Sequence, residues 1–190
     1  MNKIKMSRSQ RECQQIPHVL LPYWPLDPKI GSPAWMTPTP RIRMLKRGDA
    51  MLLDDVVFRD RRGRYRRTPR GLPCDFMSYP WVVRALTGWD KYDPATLRTG
   101  ATHDCPYLCH DHLCNWPLTR KEVDIDLLDC LRCESPGMAL VKYRGVRRWG
   151  WITYGQINYD PLFVQWIDAL WEGDDALDEW IDMTLRREAA

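Results

Sequence analysis

The stretch that most constrains this chain is Thr119 to Leu131, because it places a carboxylate on the buried face of a helix. Thr119 followed three residues on by Glu122 is a capping box, a start signal for a helix. Val123, Leu127, Leu128 and Leu131 then recur at helical spacing. Asp124 stands three, four and seven residues before Leu127, Leu128 and Leu131, so it shares their face. A buried carboxylate is too costly to leave alone, so the chain must bring it a donor or a metal. The preceding stretch offers His103, Asp104, Tyr107, His110, Asp111 and His112. The pattern predicts a helix beginning near Ala101, a turn at Asn115-Trp116-Pro117-Leu118, and a second helix carrying Asp124, Asp126 and Asp129. His103 is then expected to pair with Asp124 across the two helices. Asp104, turned about 100° around its helix from His103, is expected to point away from that bond.

A length of 190 residues suffices for one domain with a real core and attached segments. The 44% apolar and 28% charged fractions are those of a soluble globular protein. Ten tryptophans point to large packed interfaces, inside the chain or with partners. No run of eighteen apolar residues exists to span a membrane. The opening MNKIKMSRSQRECQQ lacks the apolar core of a secretory signal. Seven cysteines, an odd number, in a chain without an export signal favour free or metal-bound thiols over a disulfide framework.

Residues 1–40 read as an extended arm. Prolines at 17, 22, 25, 28, 33, 38 and 40 remove backbone donors and disfavour helix. Val19-Leu20-Leu21, Tyr23-Trp24, Ile30 and Trp35-Met36 make the arm sticky, which suits a segment lying along a surface. Residues 51–70 read as a β-hairpin, with strands at Leu52 to Phe58 and Tyr65 to Thr68 about the turn Arg61-Arg62-Gly63. Seven arginines lie from Arg59 to Arg70. They make either a solvated tip or an anion-binding face in which Arg61, Arg62 and Arg64 would contact nucleic acid, headgroups or an acidic partner. A net charge of +3 gives no general case for nucleic acid. Gly71 to Trp81 reads as a proline-bounded loop leading into a short helix, Val82 to Leu86.

Beyond Glu134-Ser135-Pro136-Gly137 a third amphipathic segment sets Ala139, Leu140, Tyr143 and Val146 against Lys142, Arg144, Arg147 and Arg148. Asp160-Pro161 opens a helix with a stripe of Leu162, Phe163, Trp166, Ile167, Leu170 and Trp171. Gly173 breaks it, and Ala176 to Arg187 continues with Leu177, Trp180, Ile181 and Leu185 on one face. The expected fold is α+β and mainly helical: a small helical core with a β-hairpin, an extended N-terminal arm and a C-terminal helical pair. The divisions are 1–40 for the arm, 41–155 for the core and 156–190 for the C-terminal amphipathic helices.

The order Gly71, Asp75, Ser78, Pro80, then His103-Asp104-x-x-Tyr107, Arg120-Lys121-x-x-Asp124-x-x-Leu127 and Val146-Arg-Arg-Trp-Gly150 resembles a small family of bacteriophage and prophage proteins known only as a domain of unknown function. The resemblance covers roughly residues 50–155. It implies a phage origin, makes Asp75, Ser78 and Tyr107 candidate binding residues, and assigns no activity. The cysteines at 74, 105, 109, 114, 130 and 133 depart from the family pattern.

An oriented His103/Asp124 pair has the make-up of a general base, and equally of a polar tie between helices. His-Asp followed by Tyr, with an Asp on the next helix, is also similar to the secreted phospholipases A2. That resemblance would make His103 the base, Asp104 a calcium ligand and Asp124 the orienting residue, although the glycine-rich calcium loop is missing. Cys109, Cys114, Cys130 and Cys133, with His110 or His112, are candidates for a tetrahedral zinc; ordinary free buried thiols are the other reading. No Ser-His-Asp order, phosphate-cradling glycine loop or nucleotide fingerprint is present.

The leading expectation is therefore a virion-associated structural or interaction protein of a phage, in head, connector or tail. It would be made in the host cytoplasm and would bind other virion proteins through residues 1–40 and 160–187. The rivals are a His/Asp-dependent hydrolase of host envelope lipid or cell wall, using His103, Asp104, Asp124 and Asp75, and a non-virion regulator binding a host partner or nucleic acid.

Overall fold

A computed structural model describes residues 32–46, 48–61, 63, 65–74, 76, 90, 92–109, 119–149 and 161–190. Among them six short strands form two antiparallel three-stranded sheets. The strands are β1 (Ala34–Trp35), β2 (Ile42–Met44), β3 (Ala50–Leu52), β4 (Val56–Arg59), β5 (Tyr65–Thr68) and β6 (Pro73–Cys74). One sheet runs β1-β4-β5 and the other β2-β3-β6. Five helices complete the described residues: α1 (Leu97–Cys109), α2 (Arg120–Glu134), α3 (Ala139–Trp149), α4 (Pro161–Glu172) and α5 (Asp174–Ala189). The chain is α+β and mainly helical, as its patterning predicts.

The hairpin follows from alternation. Val56 and Phe58 point inward and are fully buried, whereas Val57 and Arg59 are half-buried. Val56 lies opposite Thr68 and Arg59 opposite Tyr65. The turn closes through Gly63, whose N–H donates to the Asp60 carbonyl at 3.0 Å from a φ of 74°. Leu52 does not belong to this hairpin. It ends β3, which pairs with β2 on one side and with Pro73–Cys74 on the other. Part of the expected 71–81 loop is thus a strand; the short helix expected at 82–86 lies outside the described residues.

The arm is shorter than its prolines suggest. Residues 34 and 35 pair with Arg59 and Phe58 as β1. Trp35 packs on Phe58 with ring centroids 4.8 Å apart, and the Arg98 guanidinium sits 4.7 Å above the same indole. Thr37 Oγ1 accepts the Val57 N–H at 3.0 Å. Residues 32–40 therefore belong to the body, and the remainder of the arm lies outside the described residues.

Helix α1 begins at Leu97, earlier than the expected Ala101, because Asp93 supplies the lead-in: its Oδ1 accepts the Ala95 N–H at 3.0 Å and its carbonyl accepts that of Thr96 at 2.9 Å. Helix α2 starts with the expected capping box; Glu122 Oε2 accepts the Thr119 N–H at 2.9 Å and Thr119 Oγ1 accepts the Glu122 N–H at 3.3 Å. On α3 the expected polarity fails at two positions, since Leu140 is 47% exposed and Lys142 is buried.

The C-terminal helices are not appendages. Phe163, Trp166, Ile167 and Leu170 of α4, with Leu177, Trp180 and Ile181 of α5, join Met51, Leu52, Leu72 and Cys74 of the second sheet region and Leu97, Ala101 and Cys105 of α1 in one core. The apolar stripe over 160–187, which the sequence offers to partners, is covered by the chain's own sheet. This is a correction to the division at 155/156: the core runs through both segments. No helix among the described residues is long and apolar enough to cross a membrane.

Gly71 fixes how closely α4 and α5 approach the sheet. Its φ is +81°, its N–H donates to the Leu52 carbonyl at 2.8 Å, and a Cβ there would lie 2.9 Å from Trp166 Cδ1 and 3.1 Å from Ile181 Cγ1. Trp166 is itself pinned by its Nε1–H donating to the Arg70 carbonyl at 3.0 Å. Gly71→Ala combines left-handed strain with overpacking and should destabilise the fold by roughly 1–3 kcal/mol. Urea denaturation of the variant measures this; an unchanged midpoint would contradict the packing.

Candidate functional site

Asp124 is 0% exposed and is met from three helices. Helix α1 brings His103, whose Nε2 lies 3.3 Å from Oδ1, and Tyr107, whose hydroxyl donates to the same oxygen at 2.5 Å. Helix α3 brings Arg147, whose Nη1 donates to Oδ2 at 2.5 Å. From one turn earlier on α2, Arg120 Nε approaches Oδ2 at 3.5 Å. Arg120 also ties α2 to the end of α3, donating from Nη2 to the carbonyls of Arg147 at 2.7 Å and Val146 at 3.3 Å. The expected His103–Asp124 pairing is present, but as one spoke of a hub. Arg120 and Arg147 stand in the motifs quoted above, yet their convergence on Asp124 requires the α2–α3 crossing, which spacing alone does not give.

Asp104 departs from expectation. Its Oδ1 lies 3.7 Å from His103 Nδ1, so the imidazole is flanked by a carboxylate at each nitrogen. Despite the turn of about 100° between the two positions on α1, Asp104 reaches the ring nitrogen that Asp124 does not. Burial by itself would push the His103 pKa down; Asp104 and then Asp124 overcome it and hold the pKa above the ordinary 6.5. Burial likewise opposes the charge on Asp124, but His103, Tyr107 and Arg147 overcome it and hold its pKa below the ordinary 3.8. Burial and then Asp124 push the Tyr107 hydroxyl upward, so it remains a donor. The hub is an ion-paired cluster whose carboxylates favour the imidazolium form of His103 more than water does.

The other carboxylates of α2 are matched in the same way. Asp126 pairs with Arg66, which points inward from β5, and both side chains are buried. Asp129 receives Arg61 from the hairpin turn, with Nε to Oδ2 at 2.7 Å. Glu134 receives Arg98 of α1 at 2.7 Å, together with the Thr99 hydroxyl and its N–H. The arginine hairpin is therefore neither a solvated tip nor an open anion-binding face at its described positions. Arg61 and Arg66 reach α2. Arg67 holds Asp55 at 2.8 Å, Arg70 holds Asp178 of α5 at 2.6 Å, and Arg59 donates to the Ser32 carbonyl at 3.0 Å. Arg62 and Arg64 lie outside the described residues.

The thiols proposed for zinc do not share one environment. Cys130 is buried and its pKa is driven well up by that burial. Cys133 is exposed, and its thiol donates to the Pro33 carbonyl at 3.3 Å. The side chain of Cys109, and all of Cys114, His110 and His112, lie outside the described residues. So do the candidate binding residues Asp75 and Ser78. Among the described residues no group of three or more His, Cys, Asp or Glu is arranged to hold a metal ion.

Two measurements probe the hub. Asp124→Ala strands His103 and Arg147 and should cost about 3–5 kcal/mol, the cost of breaking a buried pair. His103→Ala should cost less, and a double-mutant cycle should return a coupling of roughly 0.5–3 kcal/mol; additive losses would deny the contact. The pH dependence has a fixed sign. The raised His103 pKa gives stability that is full below about 6.5 and lost as pH rises through the folded value. The lowered Asp124 pKa gives stability that is present above about 3.8 and lost as pH falls through the folded value. Denaturation midpoints should thus decline on the alkaline side in the native chain, and His103→Gln should flatten that decline.

No family model, no curated protein and no solved structure matches this chain.

Proposed function

We propose that this chain is a structural interaction protein of a bacteriophage particle, a component of head, connector or tail held by its N-terminal segment. The observation that carries this reading over a hydrolase is the saturation of the hub. A general base needs an unprotonated nitrogen within reach of water or substrate. His103 is buried and has a carboxylate at each nitrogen, and the two carboxylates together hold its pKa above the ordinary 6.5. Asp124 is wholly buried beneath His103, Tyr107, Arg147 and Arg120. Such a cluster ties helices together and offers little to a substrate. The regulator reading through the hairpin loses support for the same kind of reason, because Arg61, Arg66, Arg67 and Arg70 are engaged with carboxylates of the chain itself.

The phage assignment rests on the motif resemblance, and the anchoring role on the apolar, proline-rich composition of residues 1–31. Since residues 32–40 are part of the body, the informative truncation removes 1–31 only. The shortened protein should keep the circular dichroism and melting temperature of the full chain and fail to enter particles assembled in infected cells. Incorporation equal to that of the full chain would overturn the anchoring role.

A further inference from the structure

The apolar contacts of the described residues fall into two clusters. One joins the strands, α1, α4 and α5 around Met51, Leu72 and Trp166. The other is confined to α2 and α3: Leu127, Leu131 and Ala139, with Leu128, Tyr143 and Val146 packed against them. Between the two lies a joint rich in charge, most of its acids on α2 and most of their partners on the body. Four of its carboxylates come from α2, namely Asp124, Asp126, Asp129 and Glu134, while the body adds Asp104 beside His103 and Asp93 facing Lys142 of α3. The groups that meet the α2 carboxylates from the body are His103, Arg66, Arg61 and Arg98. The α2–α3 pair meanwhile holds itself together through Arg147 on Asp124 and Arg120 on the Val146 and Arg147 carbonyls. Its connecting turn is fixed by Ser135 N–H on the Leu131 carbonyl at 2.7 Å and Met138 N–H on the Ser135 carbonyl at 3.0 Å.

We propose that α2 and α3 form a docked unit that swings off the body in one piece before the rest of the chain unfolds, the ionic joint being the line of opening. The physical reason is an asymmetry between kinds of interface. Separating apolar surfaces loses their burial outright, at about 25 cal/mol per Å². Separating ion pairs returns the charges to water, and that hydration offsets most of the lost attraction. The joint is accordingly weaker than either cluster it divides, which is the condition for sub-global opening by a contiguous segment. Val123 and Cys130 are buried on α2 outside both clusters and are the apolar part of the joint. Opening bares an acidic face on α2 and a mainly basic seat of Arg61, Arg66, Arg98 and His103, with Asp104 beside the imidazole. This inference stands whether or not the chain belongs to a phage particle.

Native-state hydrogen exchange of the full chain, followed by mass spectrometry at one fixed pH, tests it. Amides of α2 and α3 should exchange together, at least about tenfold faster than those of α4, α5 and β3. One common rate for all these elements, or separate rates for α2 and α3, would overturn the proposal, and this comparison needs no variant. Replacing the buried pair by apolar side chains, Arg66→Met with Asp126→Leu, then tests the cause. It should slow exchange in α2 and α3 by about tenfold while leaving α4 and α5 unchanged. Unslowed α2 and α3 in that folded variant would show that the ionic joint is not the line of opening.

Discussion

Burying carboxylates along α2 is the constraint on which the arrangement of the other elements depends. Ionised side chains out of water demand partners of opposite charge with good geometry. Each of the four buried acids of α2 is answered by a different element: Asp124 by α1 and α3, Asp126 by β5, Asp129 by the hairpin turn, and Glu134 by the start of α1. These pairings set the rotation of α2 about its own axis. A turn of one residue would strand several charges at once. Ion pairing of this sort contributes less net stability than apolar packing, and more to fixing one arrangement among several that hydrophobic contact alone would tolerate.

The stabilising contacts of the body lie elsewhere. Trp166, Phe163, Ile167 and Leu170 fill the space over β3 and β6, and Gly71 permits the approach. The same surface is locked at its rim by Arg67 and Arg70 of the hairpin holding Asp55, Asp174 and Asp178. Exposed pairs of this kind are worth little individually, but here they connect residues more than a hundred positions apart and so help to register the C-terminal helices on the sheet.

Much of the local structure was legible. Thr119 and Glu122 start α2, Gly63 closes the hairpin, Gly173 separates α4 from α5, and the stripe from Phe163 to Leu170 faces a core, because each of these is decided within a few residues. The pairing of His103 with Asp124 was legible too, since helical phase put Asp124 among leucines and the cost of burying it demanded a partner. The destination of the C-terminal stripe was not, because periodicity identifies an apolar face without naming what covers it. Arm residues 32–40 were misassigned for a related reason: prolines exclude helix but are compatible with a short edge strand such as β1. Arg120 and Arg147 were visible as residues and invisible as partners of Asp124, as their meeting depends on how α3 crosses α2.

The arginine run shows why a charge pattern read in isolation misleads. Twenty-eight basic residues against twenty-five acidic ones leave a net charge of +3, so most positive charge has a negative counterpart available within the chain. In β5 the alternation that buries Val56 and Phe58 on the facing strand also turns Arg66 and Thr68 inward while Tyr65 and Arg67 face outward. An arginine delivered to a core by strand register must find a carboxylate there, and the acidic face of α2 is the one that fits. The buried acids of α2 and the basic hairpin are thus two halves of one feature. Each is unintelligible as a local motif: the helix looks like a metal or catalytic site, and the hairpin looks like a nucleic-acid grip. Their mutual neutralisation accounts for both.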